Sequence, residues 1–145
     1  MGEPNKLEKA PELLQDLYSE VYELVRLELN HSALSMMSVL LEATLKELIK
    51  KKRGKYPDGA SFGKSIQLCL NEKTITESEA TWLKRFNYMV RNSYLHHDVE
   101  KLAKNMKLKP ETLKGTTKKD FDRLVAVELF ADVDKFFREV IVRVF

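Results

Sequence analysis

The chain is poor in the residues that break, staple or specialise a fold. It holds one cysteine, Cys69, so no intramolecular disulfide is possible. A lone thiol with no apolar leader before it predicts a reducing compartment, the cytoplasm. Five glycines and four prolines in 145 residues are too few for a collagenous, low-complexity or turn-dense all-β chain. Long apolar runs are missing as well: Leu34–Leu41 is short and broken by Ser35 and Ser38. A membrane-crossing helix needs roughly 20 apolar residues, so no membrane partner is expected. The sequence also has no glycine-rich phosphate loop, no paired cysteines for zinc, no Gly-x-Ser-x-Gly elbow and no His-Glu-x-x-His helix. Neither a metal nor an organic cofactor is therefore expected.

What is present is hydrophobic residues (43 %) and charged residues (32 %) at helical spacing. The length fits one domain with a core that needs no staple, since a chain of this size hides roughly two-thirds of its surface on folding. Residues 1–9 are polar, contain Pro4 and read as a flexible start, with a single helical domain over 10–145. Leu14, Leu17, Val21, Leu24 and Val25 draw one apolar stripe on a first helix from Pro11 to about Leu29. Ser32 is the expected cap of a second helix, Ala33 to about Lys52, which ends in the basic run Lys50-Lys51-Lys52-Arg53-Gly54. Tyr56-Pro57-Asp58-Gly59 reads as a turn, and Ser61 as the cap of a short helix with Phe62, Ile66, Leu68 and Leu70. Thr76-Glu77-Ser78-Glu79 is a capping box opening a helix with Trp82, Leu83, Phe86, Met89 and Val90. After a Lys-rich linker over 101–117, Thr117 is the expected cap of a final helix whose apolar positions exceed one narrow stripe. Such a helix belongs either at the centre of the core or in an oligomer interface. The fold class is all-α, four main helices and one short one.

Charge is unevenly spread. Residues 1–30 carry seven acids against three bases, whereas 46–64 carry seven bases against two acids and 101–119 seven lysines against one glutamate. Two basic segments fit a polyanion such as RNA, although solvated lysines at helix ends produce the same pattern.

The chemistry concentrates in Arg91-Asn92-Ser93-Tyr94-Leu95-His96-His97-Asp98. Histidine is the side chain suited to both giving and taking protons near neutral pH, and arginine is a permanently charged fork shaped for phosphate. The same residues also serve, in many helices, only to complement the dipole at a helix end. Arg91-Asn92-Ser93-Tyr94-Leu95-His96 resembles the Arg-x4-His signature of the HEPN superfamily. An apolar helix like Leu34–Ile49 and the phrase Phe62-Gly63-Lys64-Ser65-Ile66 precede it, as in the small prokaryotic branch of that group. The resemblance extends over roughly residues 10–145, but its specific part is six residues long.

The resemblance implies a HEPN-like helical bundle and a metal-independent endoribonuclease, acting as a toxin or in defence, whose two subunits face each other across one cleft. It implies that His96 is the general base or acid, that Arg91 stabilises charge on the scissile phosphate and that Asn92 orients the histidine or binds the phosphate. His97 is an alternative working histidine. Tyr94 either stacks on a base or packs, and Lys51, Lys52 and Arg53 are candidate guides for RNA. In relatives with a nucleotide-modification tyrosine two residues past the motif histidine, that position matches Asp98 here, so this regulatory route is not expected. An antitoxin or a nucleotidyltransferase is a possible partner in such a system. The competing functions are a non-catalytic HEPN module that binds a nucleotide or protein, and a plain helical dimerisation scaffold.

Geometry sharpens the question. Residues five apart on an α-helix differ by about 140° around the axis, so Arg91 and His96 do not share a face of a straight helix, whereas Asn92 and His96 do. Either the helix loosens near Tyr94 to His97, or the working pair is assembled across a two-fold dimer. Elsewhere, Glu42 is a rim residue or a partner for Arg91, His31 a turn residue, Trp82 and the phenylalanines core, and Cys69 a small buried hydrophobe.

Overall fold

The computed structural model describes residues 7–90 and 118–145, and among them five helices and no strand. They are α1 (Glu12–Arg26), α2 (Asn30–Arg53), α3 (Phe62–Asn71), α4 (Glu77–Asn87) and α5 (Lys118–Val144). The all-helical bundle expected from composition and period is the architecture found. No helix among the described residues is long and apolar enough to cross a membrane.

Helix α1 buries Leu14, Tyr18, Val21 and Val25, a spacing of four, three and four that keeps one stripe against the core. Helix α2 lies against α1, α3 and α5, which is why its buried set wraps most of its circumference and includes Thr44 and Glu47. The excess of apolar positions on α5 has the same cause. Phe121, Val125, Leu129, Phe130, Val133, Phe136, Phe137, Val140 and Ile141 are all buried. Phe130 and Phe137 meet Tyr18 of α1 at 6.0 and 5.3 Å, and Phe136 meets Trp82 of α4 at 5.4 Å. Of the two readings of that helix, its place at the centre of the core accounts for these residues. Only Val127 and Val142 stand out to solvent.

Helix starts follow local chemistry where a cap exists. Ser61 Oγ accepts from the Lys64 amide at 3.1 Å, and Thr76 and Glu79 form the full capping box, at 3.1 and 2.8 Å. Helix α2 departs from expectation. It begins at Asn30, with Leu29 in the cap position and no side-chain cap, so Ser32 lies within the first turn. The cause is the connection before it. α1 stops at Arg26 rather than near Leu29, closed by a Schellman pair in which the Leu29 amide donates to Leu24 O and the Glu28 amide to Val25 O. Glu28 takes the left-handed position, φ 58°, that glycine usually fills. Helix α3 ends the same way, with Lys73 at φ 60°, Thr74 donating to Cys69 O and Lys73 to Leu70 O.

The core also reaches further toward the start of the chain than the composition of residues 1–9 suggests. Leu7 is 2 % exposed and its carbonyl accepts from the Ala10 amide at 2.9 Å. Thr117 and the linker over 101–117 lie outside the described residues.

Candidate nucleic-acid interface

Helix α2 delivers four consecutive cations to one end of the bundle, where they face the negative pole of the helix dipole. Gly54 closes the helix in the left-handed conformation, φ 81°, its amide donating to Lys50 O at 2.7 Å. Each cation has its own surroundings. Lys50 Nζ lies 4.6 Å from the centre of the Tyr56 ring and donates to the Tyr56 hydroxyl at 3.4 Å. That hydroxyl donates to Glu47 Oε1 at 2.5 Å, which gives the buried carboxylate of α2 a partner. Lys51 Nζ sits 5.7 Å from the ring of Phe145, beyond the end of α5, and Lys52 is exposed. Arg53 Nε pairs with Glu72 Oε1 at 3.0 Å. Lys51, Lys52 and Arg53 therefore share one helix end, and Arg53 is partly neutralised.

A cavity of about 200 Å³ opens beside this end, lined by Arg53, Lys55, Tyr56, Pro57, Asp58, Ala60, Lys64 and Leu68. Its wall is the loop between Gly54 and Gly59, both in left-handed conformations, and the first turn of α3.

The second candidate region begins where α4 ends. After Asn87 the helix widens into a π turn at 88–90, with Met89 and Val90 buried. The candidate residues Arg91, Asn92, Tyr94, His96 and His97, and Asp98 with them, lie outside the described residues. The position of Met89 is nonetheless informative. It shares a small cleft with Glu128, Leu129 and Asp132 of α5. Lys51 stands at Phe145, 16 residues beyond Leu129, or about 24 Å along the helix at 1.5 Å per residue. The basic end of α2 and the end of α4 are thus at different heights on the bundle.

The remaining singled-out residues have ordinary partners. Glu42 pairs with Lys46 at 3.2 Å, one helical turn away, as befits a rim position. His31 Nε2 lies 3.3 Å from Asp122 Oδ2, joining the start of α2 to that of α5. Cys69 is fully buried, its Sγ donating to Leu45 O at 3.5 Å, and burial raises its thiol to about 11. Trp82 is only partly buried, packing on Phe86 and Phe136 at the edge of the core. Among the described residues no group of three or more His, Cys, Asp or Glu converges as a metal site would require.

One polar cluster has no local sequence signal. Tyr18 of α1 donates to Asp134 Oδ1 at 2.5 Å and accepts from Arg138 at 3.0 Å, while Arg138 Nε donates to the same Asp134 oxygen at 2.8 Å. Burial first, then the bond to Asp134, holds the Tyr18 phenol up to about 12. Tyr18 and Asp134 are 116 residues apart, so only the fold joins them.

No family model, curated protein or solved structure matches the chain.

Proposed function

We propose that this chain is a HEPN-type, metal-independent endoribonuclease that works as a homodimer. The observation that carries the reading is the sequence Arg91-Asn92-Ser93-Tyr94-Leu95-His96, which follows directly on the π turn closing α4 in an all-helical bundle. In an α-helix a five-residue spacing separates two side chains by about 140°, whereas a π winding, with bonds from i to i+5, brings residues five apart toward one face. α4 widens in this way at 88–90, just ahead of the motif.

In this reading the ribose 2′-oxygen attacks the adjacent phosphorus and the bond to the 5′-oxygen breaks, leaving a 2′,3′-cyclic phosphate and a 5′-hydroxyl. His96 takes the 2′-hydroxyl proton, and a second protonated His96 across a two-fold axis gives a proton to the departing oxygen. Arg91 lays its charged fork on the non-bridging phosphate oxygens as negative charge grows there, and Asn92 holds the imidazole in place. Tyr94 and His97 contact the substrate, and Lys51, Lys52 and Arg53 attract its backbone from the other end of the bundle. The protein acts in the cytoplasm as a toxin or defence effector, restrained by an antitoxin; a nucleotidyltransferase partner belongs to the non-catalytic alternative, since Asp98 stands where the modified tyrosine would be.

The test is incubation with 5′-labelled single-stranded RNA in EDTA. Cleavage leaving cyclic phosphate ends is expected, with a fall of about 100-fold or more for Arg91→Ala and His96→Ala. His97→Ala retains activity. Cleavage by the native chain no greater than that of the variants overturns the enzymatic reading; bound nucleotide without cleavage favours the non-catalytic module instead. Light scattering behind size exclusion is expected to report a dimer, and a strict monomer removes the shared cleft.

A further inference from the structure

The cavity beside the end of α2 has a composition that core packing does not require. Three of its lining side chains, Arg53, Lys55 and Lys64, are cationic and one, Asp58, is acidic. Glu72 pairs with Arg53, and neither Lys55 nor Lys64 forms an ion pair among the described residues. Lys50, Lys51 and Lys52 lie on the adjoining turn of α2. Bringing like charges around a concavity is unfavourable unless an anion is received there. The first turn of α3, from which Lys64 projects, adds the positive pole of a ten-residue helix to the same field.

We propose that this cavity is a phosphate seat for single-stranded RNA, formed by Arg53, Lys55 and Lys64 with Tyr56 at its rim. Its size selects the kind of occupant. Small-molecule sites usually enclose about 300–1,000 Å³, so 200 Å³ suits one phosphate of a strand that continues over the surface rather than a whole free nucleotide. Tyr56 is 47 % exposed, which leaves ring surface for a neighbouring base to stack on, as in single-strand grooves that alternate cations and aromatics. The lysines on α2 carry the strand onward. Gly54 and Gly59 let the loop turn back toward α3 with φ values of 81° and 58°.

The seat deepens the ribonuclease reading by giving the substrate an anchor at the basic end of α2, away from the level at which α4 ends. It rests on that reading only for the choice of RNA as phosphate carrier. The test therefore uses binding, not cleavage. Fluorescence anisotropy with a labelled single-stranded RNA is measured on the chain carrying Arg91→Ala and His96→Ala, with and without Lys55→Ala/Lys64→Ala, over a range of salt. The double change is expected to weaken binding about tenfold and to lower the slope of log K against log salt by about 1.4, two contacts at about 0.7 each. Lys9→Ala/Lys84→Ala removes the same charge from exposed sites elsewhere and is the control. An equal loss in the control overturns the seat in favour of diffuse attraction, and so does an unchanged affinity in Lys55→Ala/Lys64→Ala. Amide shifts confined to residues 53–64 on adding inorganic phosphate, with no RNA binding, overturn the RNA assignment. Loss of binding in the double variant supports the seat even if the native chain cleaves nothing.

Discussion

The molecule contains two clusters of a tyrosine, a carboxylate and a cation, and they have opposite settings. In the first, Tyr18 joins Asp134 and Arg138 between α1 and α5, with its ring stacked on Phe137 and the guanidinium 5.5 Å from its centre. In the second, Tyr56 joins Glu47 and Lys50 at the end of α2, with the ammonium 4.6 Å from its ring. The bonds differ in one respect, since Arg138 donates to Asp134 at 2.8 Å as well as to Tyr18, whereas Lys50 reaches the Tyr56 hydroxyl at 3.4 Å. The surroundings differ more: Tyr18 has no exposed surface, whereas Tyr56 is half in solvent and stands beside cations that outnumber their acids. One charge-balanced cluster fixes helix on helix. The other positions a loop and leaves a surplus of positive charge facing outward. The same residue classes thus serve a buried joint between helices in one place and an exposed, cation-rich loop in the other, through burial and local charge balance.

Truncation separates the two most strongly. Tyr18→Ala is expected to cost about 3–5 kcal/mol in urea unfolding, as for other large buried rings, against about 1–3 kcal/mol for Tyr56→Ala, whose ring is half exposed but whose hydroxyl is the partner of the buried Glu47 carboxylate. Equal losses would dissolve the contrast. Alkaline titration comes next. The folded Tyr18 keeps its proton up to about 12 while the unfolded phenol releases it near 10.0. Between those values the unfolded state binds fewer protons, so the stability that the protonated phenol lends, fully present below that window, is lost as pH rises through it. Tyr18→Phe flattens this part of the pH profile, which stability curves at stepped pH will show. At neutral pH, Tyr18→Phe is expected to cost about 1–2 kcal/mol by removing the hydroxyl from Asp134 and Arg138. The smallest effect belongs to Lys55→Ala/Lys64→Ala, within about 0.5 kcal/mol by thermal unfolding. A larger stability loss there would show that those lysines serve the fold.

The sequence signals that worked were those acting within a few residues. Ser61 and the Thr76/Glu79 box name their own helices because cap and amide are three positions apart. The α1 to α2 junction was misjudged by three residues at each side, since its stop is a Schellman turn with Glu28 where glycine would have announced it, and its start has no side-chain cap. The apolar excess of α5 was visible, but only its neighbours α1, α2 and α4 show that the core absorbs it. At the candidate interface the run Lys50–Arg53 was legible as charge, whereas the pairing of Arg53 with Glu72 and the enclosure of Lys55 and Lys64 around one cavity depend on how α3 folds back on α2. The Tyr18 cluster was beyond reach for the same reason, its members being placed by α5 arriving against α1.

Because α5 supplies the phenylalanines that fill the space between α1, α2 and α4, the core has no early version of itself. During synthesis the ribosome releases α1 through α4 with an apolar flank exposed until residues 121–141 emerge. Until then that flank is open to non-native contacts, and any phosphate seat on α2 and α3 is assembled on a scaffold still waiting for its keystone.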